Sequence, residues 1–141
     1  MTDLSLTVTK TIRAPIEVVF DAWLNPDLLA KFILPAPGMP EPEVETDARV
    51  GGHFTIIMQV GDEKIPHNGQ YLTINRPHEL VFSWVSPFSP DDSRVRINFS
   101  ALDERQTLVE LTHVKFLNED SRTSHEGGWA NILDKLDEVT S

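Results

Sequence analysis

Residues 94–114, RVRINFSALDERQTLVELTHV, contain two runs of alternating apolar and polar residues on either side of a polar turn. Alternation with a period of two is typical of a strand that is buried on one face only. The stretch therefore predicts an antiparallel hairpin with one covered and one solvated face. The residues predicted on the covered face are Val95, Ile97, Phe99, Ala101, Val109, Leu111 and His113.

Segments before this hairpin favour further strands. They are rich in β-branched and aromatic residues and are separated by short turns such as Gly61-Asp62. Short connections predict an antiparallel meander rather than a parallel sheet. The predicted strands cover residues 4–13, 43–47, 53–60, 63–75 and 79–85.

Helical periodicity occurs in three places. Residues 16–24 carry an apolar stripe, and a second short helix is predicted over 27–34 with Asp27 as its N-cap. A long C-terminal helix is predicted from apolar positions 129, 132, 133, 136 and 139, with Asn118 or Ser121 as its cap. Gly127 and Gly128 lie inside it, and close approach to another element would explain at least one of them.

The order of elements predicts an α+β fold in one domain, residues 1–141, with two short helices after the first strand. The C-terminal helix is the large element available to cover the apolar face of the sheet. A curved sheet wrapped around one helix can enclose apolar space, where small molecules typically bind.

Composition excludes several classes of function. The chain has 12 Lys and Arg against 22 Asp and Glu, and a net charge of −10 disfavours nucleic acid and acidic membranes as partners. The absence of Cys excludes disulfides and thiolate chemistry. No signal pattern or apolar span is present, so a cytoplasmic protein is expected.

Catalytic motifs are absent, so no catalytic residue, metal or cofactor is predicted. His53, His67 and His78 fall at strand edges or turns and are predicted at the surface. Asp134, Asp137 and Glu138 are expected on the exposed side of the last helix.

The predicted ligand-binding residues are those that would line a space between sheet and helix. Ordinary core packing is the alternative for each of them. For His113 and His125 the alternatives are a buried, hydrogen-bonded histidine or a group that handles protons. The full set is Trp23, Phe54, Ile56, Met58, Tyr71, Phe82, Trp84, Ile97, Phe99, Val109, Leu111, His113, His125, Trp129 and Ile132.

Five stretches together resemble the START/Bet v 1-like (SRPBCC) superfamily, and within it the branch similar to the C-terminal domain of the Hsp90 ATPase activator Aha1. They are TKTIRAPIEVVFDAWLNPDLLAKF (9–32), GGHFTIIM (51–58), NGQYLTINRPHELVFSW (68–84), TLVELTHVKF (107–116) and HEGGWANILDKLDEV (125–139). The resemblance implies a helix-grip fold, in which a curved seven-stranded antiparallel sheet surrounds the last helix over a cavity. Superfamily members bind lipids, hormones and polyketides, and some are cyclases.

Three functions follow as hypotheses. The first is a module that binds a small hydrophobic or amphipathic molecule. The second is a cyclase- or hydrolase-like enzyme that uses His113 or His125. Of these two, we favour the module that binds a ligand without catalysis. The third is a module that binds a chaperone such as Hsp90, although activation of Hsp90 belongs to a two-domain protein. Exposed strand edges would also allow a homodimer.

Overall fold

The computed structural model describes residues 4–34, 38–87, 93–116 and 118–140. Within these ranges the chain forms seven strands and three helices. In chain order they are β1 (Ser5–Ile12), α1 (Ile16–Ala22), α2 (Pro26–Phe32), β2 (Glu43–Thr46), β3 (His53–Val60), β4 (Glu63–Asn75), β5 (Glu79–Ser83), β6 (Arg94–Asp103), β7 (Gln106–Val114) and α3 (Glu119–Thr140).

The strands form one antiparallel sheet in the order β1-β7-β6-β5-β4-β3-β2. Strands β2 to β7 are a meander, and β1 returns to pair with β7. In the β6–β7 hairpin, Ile97 faces Leu111 and Val95 faces His113. The predicted α+β helix-grip fold is confirmed.

Alternation along the hairpin separates core from solvent as expected, except at Ala101, which was predicted on the covered face and is exposed next to a register shift at the end of β6. Val95, Ile97 and Leu111 are fully buried, whereas Arg94 and Arg96 are exposed on the opposite face. The buried face of the sheet packs against all three helices. The residues with which α3 covers it include Trp129, Ile132, Leu133 and Leu136.

The N-terminus of α2 differs from the prediction. Asn25, not Asp27, is the N-cap, since its Oδ1 accepts hydrogen bonds from the backbone N–H of Asp27 at 2.9 Å and of Leu28 at 3.3 Å. Pro26 then occupies the first turn, where its missing N–H costs nothing. At the start of α3, Asn118 is the cap, because its Oδ1 accepts from the Ser121 N–H at 2.8 Å.

Asp137 was predicted to be exposed, and this is wrong. Its side chain is buried against Arg13, whose backbone N–H and Nε–H both donate to the carboxylate, at 2.9 and 3.2 Å. Burial alone would raise the pKa of Asp137, but the hydrogen bonds and charge of Arg13 outweigh it and lower the pKa. Together with an exposed Lys10–Asp134 pair at 3.1 Å, this contact fixes the C-terminal half of α3 beside β1.

Candidate functional site

A cavity of about 150 Å³ lies between the N-terminal half of α3 and the strands β3 and β4. Its walls are mainly apolar, with two imidazoles and one hydroxyl. Ser124 is exposed, so the cavity reaches the surface beside α3. The lining residues are Met58, His67, Trp84, Ser124, His125, Gly128, Trp129 and Ile132.

The position of the cavity follows from the way α3 is held. The C-terminal half is anchored by Asp137 and by the fully buried Leu136. Farther toward the N-terminus, Gly128 has no side chain to fill the gap beneath the helix. A Cβ added to Gly127 would meet nothing within 4 Å, so that glycine is not explained by close packing.

A second void of about 10 Å³ lies deeper, toward α2. Space of that size is at the lower limit for one water molecule. The indole N–H of Trp23 is buried here and makes no hydrogen bond with the described part of the chain. The void is lined by Trp23, Leu29, Ile33, Phe54, Ile56, Tyr71, Phe82 and Trp84.

The structure divides the predicted ligand-binding residues into three groups. Those on the larger cavity are Met58, Trp84, His125, Trp129 and Ile132. Those on the small void, besides Trp84, are Trp23, Phe54, Ile56, Tyr71 and Phe82. The remaining residues are buried but line neither space: Ile97, Phe99, Val109, Leu111 and His113.

Sequence reasoning missed three residues that line the larger cavity, His67, Ser124 and Gly128, and two that line the small void, Leu29 and Ile33. His67 was predicted at the surface and is instead buried, 9% exposed, with its ring 5.1 Å from that of Trp84. A signal was present, because His67 has the same parity along β4 as the buried Tyr71. Ser124 and Gly128 are four residues apart and therefore lie on one face of α3.

His113 is fully buried behind the cavity wall, and both ring nitrogens are hydrogen-bonded. Trp129 Nε1–H donates to His113 Nδ1 at 3.0 Å, and His113 Nε2 lies 2.7 Å from Ser93 Oγ. An indole N–H can only donate, so Nδ1 is the acceptor and Nε2–H donates to Ser93. Burial, with a further contribution from His125, lowers the pKa of His113 to about 3. His113 is thus a neutral residue that orients Trp129.

His67 and His125 lie on the cavity from opposite sides, on β4 and α3. In each ring Nδ1 faces a backbone carbonyl and so carries the proton: Ile65 at 3.2 Å for His67, and Ser121 at 2.8 Å for His125. Burial is the main cause that lowers the pKa of His67, and the carbonyls of Ile65 and Ile56 partly offset it.

Aromatic contacts hold these groups in place. The Trp84 and Trp129 rings are 5.1 Å apart, and the His113 ring is perpendicular to that of His125 at 5.3 Å. The Trp84–Trp129 pair is tilted, with an interplanar angle of 59°, and aromatic pairs of this kind add stability beyond the area they bury.

Two further observations concern the described residues. Among them, no group of three or more His, Asp or Glu residues is arranged to hold a metal ion. Within the same ranges, no helix is both long and apolar enough to cross a membrane.

An antiparallel sheet that surrounds a C-terminal helix over a partly filled cavity defines the helix-grip class of α+β domains. The family model described as "Activator of Hsp90 ATPase homolog 1-like protein" matches residues 13–141, and the chain belongs to this family. The resemblance to the Aha1-like branch of the SRPBCC superfamily is thereby confirmed. A search among curated proteins finds no match.

Solved structures share the fold over nearly the whole chain. A protein from Chromobacterium violaceum has a TM-score of 0.83 at 21% identity, covering 96% of both chains. The AHSA1-like protein from Aeromonas hydrophila has a TM-score of 0.81 at 22% identity, covering 96% of this chain and 91% of its own. An Hsp90 activator from Plasmodium falciparum has a TM-score of 0.76 at 23% identity, covering 96% of this chain and 95% of its own.

Proposed function

We propose that this protein binds a small, mainly apolar molecule in the cavity between α3 and the sheet. The observation that carries the proposal is a space of about 150 Å³ walled by two indoles, Met58 and Ile132, with few polar groups. Small-molecule sites have this composition: apolar walls for contact area and a small number of polar groups for orientation.

The volume restricts the size of the ligand. An engineered apolar cavity of about 150 Å³ accommodates benzene. Some predicted lining residues pack in the core instead, such as Phe99, whose ring centroid lies 5.1 Å from that of Phe20. The ligand, or the part of it that enters the protein, is therefore about the size of one ring.

The state of His113 disfavours catalysis by that residue. Both of its nitrogens are occupied by protein groups, so it has no lone pair or proton to offer a substrate. A cytoplasmic location, expected from the sequence, is part of the proposal. The homodimer stays a prediction.

A thermal-shift screen with one-ring compounds tests the proposal. A ligand at about 100 times its Kd adds about 2.7 kcal/mol and raises Tm by several degrees. Ser124→Trp, on the rim of the cavity, should block the shift. Ala130→Trp introduces the same bulk at an exposed position of α3 that does not line the cavity and should leave the shift intact. Equal shifts in both variants would contradict binding at this site.

Chaperone binding is a second candidate function, favoured by the family to which residues 13–141 belong. A structural relative is described as an Hsp90 activator. Pull-down with purified Hsp90 at low and high salt tests it, since contacts made by a chain of net charge −10 weaken as salt screens them. No association at low salt would contradict this candidate.

A further inference from the structure

His125 has one ring nitrogen that the protein does not use. Its Nδ1–H donates to the Ser121 carbonyl at 2.8 Å, which leaves Nε2 as the acceptor in the neutral ring. Nε2 makes no hydrogen bond with the described part of the chain, while the ring lines the cavity. The cavity therefore contains an acceptor whose partner has to come from water or from a ligand.

The residues that line the cavity offer a charged ligand no opposite charge, because none of them is an Asp, Glu, Lys or Arg. The neighbouring ring of His113 is neutral and perpendicular to that of His125, and the opposite wall carries His67, whose pKa burial lowers. The remaining walls are uncharged: the indoles of Trp84 and Trp129, with Met58, Ser124, Gly128 and Ile132. A charged ligand would lose its hydration without gaining an opposite charge among the lining residues, which is costly.

A neutral ligand with a hydrogen-bond donor can satisfy the free acceptor on His125 and does not need an opposite charge in the cavity wall. A hydroxyl or ring N–H can donate to Nε2, and an aromatic ring can lie against the two indoles. The volume of about 150 Å³ admits a single ring with one such substituent.

We infer that the ligand is a neutral, one-ring compound with an O–H or N–H donor, of the phenol class, and that His125 Nε2 accepts its hydrogen bond. This inference rests on the proposed function and specifies the class of ligand. Under it, His125 distinguishes a donor-bearing ring from an apolar ring of the same shape.

Phenol and toluene form a matched pair of probes, because they differ by a hydroxyl in place of a methyl group. We would measure the Kd of both by NMR titration for the wild type and for His125→Phe, which keeps a ring at this position but removes the acceptor. The ratio of the toluene Kd to the phenol Kd should fall by about 3- to 10-fold in His125→Phe, the value of one hydrogen bond. His78→Phe, in the exposed β4–β5 turn, should leave the ratio unchanged.

A measurement on the wild type covers the case in which His125→Phe does not fold. Phenol should shift the ¹⁵N resonance of His125 Nε2 in the direction of hydrogen-bond acceptance, and toluene should not. An unmoved resonance with bound phenol would overturn the inference.

The outcomes separate the two proposals. If both probes bind but the ratio is the same in the wild type and His125→Phe, the inference is wrong and the proposed function stands. Tighter binding of benzylammonium or benzoate than of phenol would overturn the neutral class. If no one-ring probe binds, the proposed function fails and the inference fails with it.

Discussion

His113 connects three parts of the molecule through one buried imidazole. It lies on β7, donates to Ser93 just before β6 and accepts from Trp129 on α3. Trp129 in turn forms part of the cavity wall. A histidine in this state stabilises the fold only while it is neutral, so its contribution depends on pH.

The free energy of unfolding should fall as pH falls from about 6.5 toward 4. The unfolded chain takes up a proton near the ordinary histidine pKa of 6.5, whereas folded His113 has a pKa of about 3. Between these values the unfolded state binds more protons, which costs the fold up to about 1.4 kcal/mol per pH unit. His67, also with a lowered pKa, acts in the same direction.

Urea denaturation at a series of pH values measures this slope. In His113→Gln, the amide can still accept from Trp129 and donate to Ser93, but it cannot titrate. In this variant the free energy of unfolding should change less steeply with pH. The difference in slope should be at most about 1.4 kcal/mol per pH unit, which corresponds to one proton. Identical slopes in variant and wild type would show that His113 is not the group responsible.

Phe99→Ala tests whether a buried residue outside the cavity contributes to stability without contributing to ligand binding. Phe99 is buried, packs edge-on against Phe20 and does not line the cavity. We expect a loss of about 3–5 kcal/mol in the free energy of unfolding, typical of a buried Phe→Ala change. Affinity for a one-ring ligand, measured at a temperature where the variant is folded, should stay unchanged; a weakened affinity would place Phe99 in the binding site.

At this scale the sequence predicts burial better than it predicts role. The alternating pattern of β6 and β7 correctly predicted that His113 and Phe99 are buried, because successive side chains of a strand point to opposite faces. The pattern could not show that both ring nitrogens of His113 are hydrogen-bonded, because Ser93 and Trp129 contact the ring only in the tertiary structure. His67 was misplaced because Pro66 interrupts the apparent pattern of β4, although the strand continues through it.

Among the elements, α3 has two halves with different constraints. The C-terminal half carries Leu133, Leu136 and Asp137, all buried, and Asp137 makes hydrogen bonds to the backbone and side chain of Arg13. The N-terminal half lies over the cavity and contains two glycines, each of which weakens a helix interior. The C-terminal half is thus held by a buried carboxylate, whereas the N-terminal half borders the cavity.

Asp137→Ala should destabilise the protein by about 1–3 kcal/mol, because it leaves the Arg13 backbone N–H without its acceptor. Asp134→Ala is the matched control on the same helix, since its pair with Lys10 is exposed and such pairs contribute about 0–1 kcal/mol. Chemical denaturation of both variants gives the comparison. Equal losses would show that the Asp137 contact is no more than a surface ion pair.

The elements themselves were largely predictable from sequence, and their ends less so. Apolar periodicity gave the order of strands and helices, because the fold buries one continuous face. The sequence analysis predicts Asp27 as the N-cap of α2, while the structure uses Asn25, two residues earlier. The Arg13–Asp137 contact joins residues 124 positions apart, a separation at which local pattern carries no information.

For the molecule as a whole, the sheet and α3 form a core that is tightly filled near β1 and looser near β3 and β4. The sequence predicted that sheet and helix would meet, but the cavity is what remains after Phe20, Phe99 and their neighbours have packed. Its position and volume depend on summed side-chain shapes, and so they emerge only in three dimensions.

A ligand in this cavity would contact both the strand side and α3, and it should therefore suppress local opening of the helix. Amide hydrogen exchange with and without saturating phenol measures this effect. Exchange should slow most at residues 124–132. Binding stabilises the closed form by RT ln(1 + [L]/Kd), so local opening of this segment becomes rarer by the corresponding factor. Residues 5–12 of β1, which do not line the cavity and are paired with β7, should change only to the extent that global stability changes. Equal protection of both segments would indicate that α3 opens only with the whole protein, and faster exchange at 124–132 would contradict binding beneath the helix.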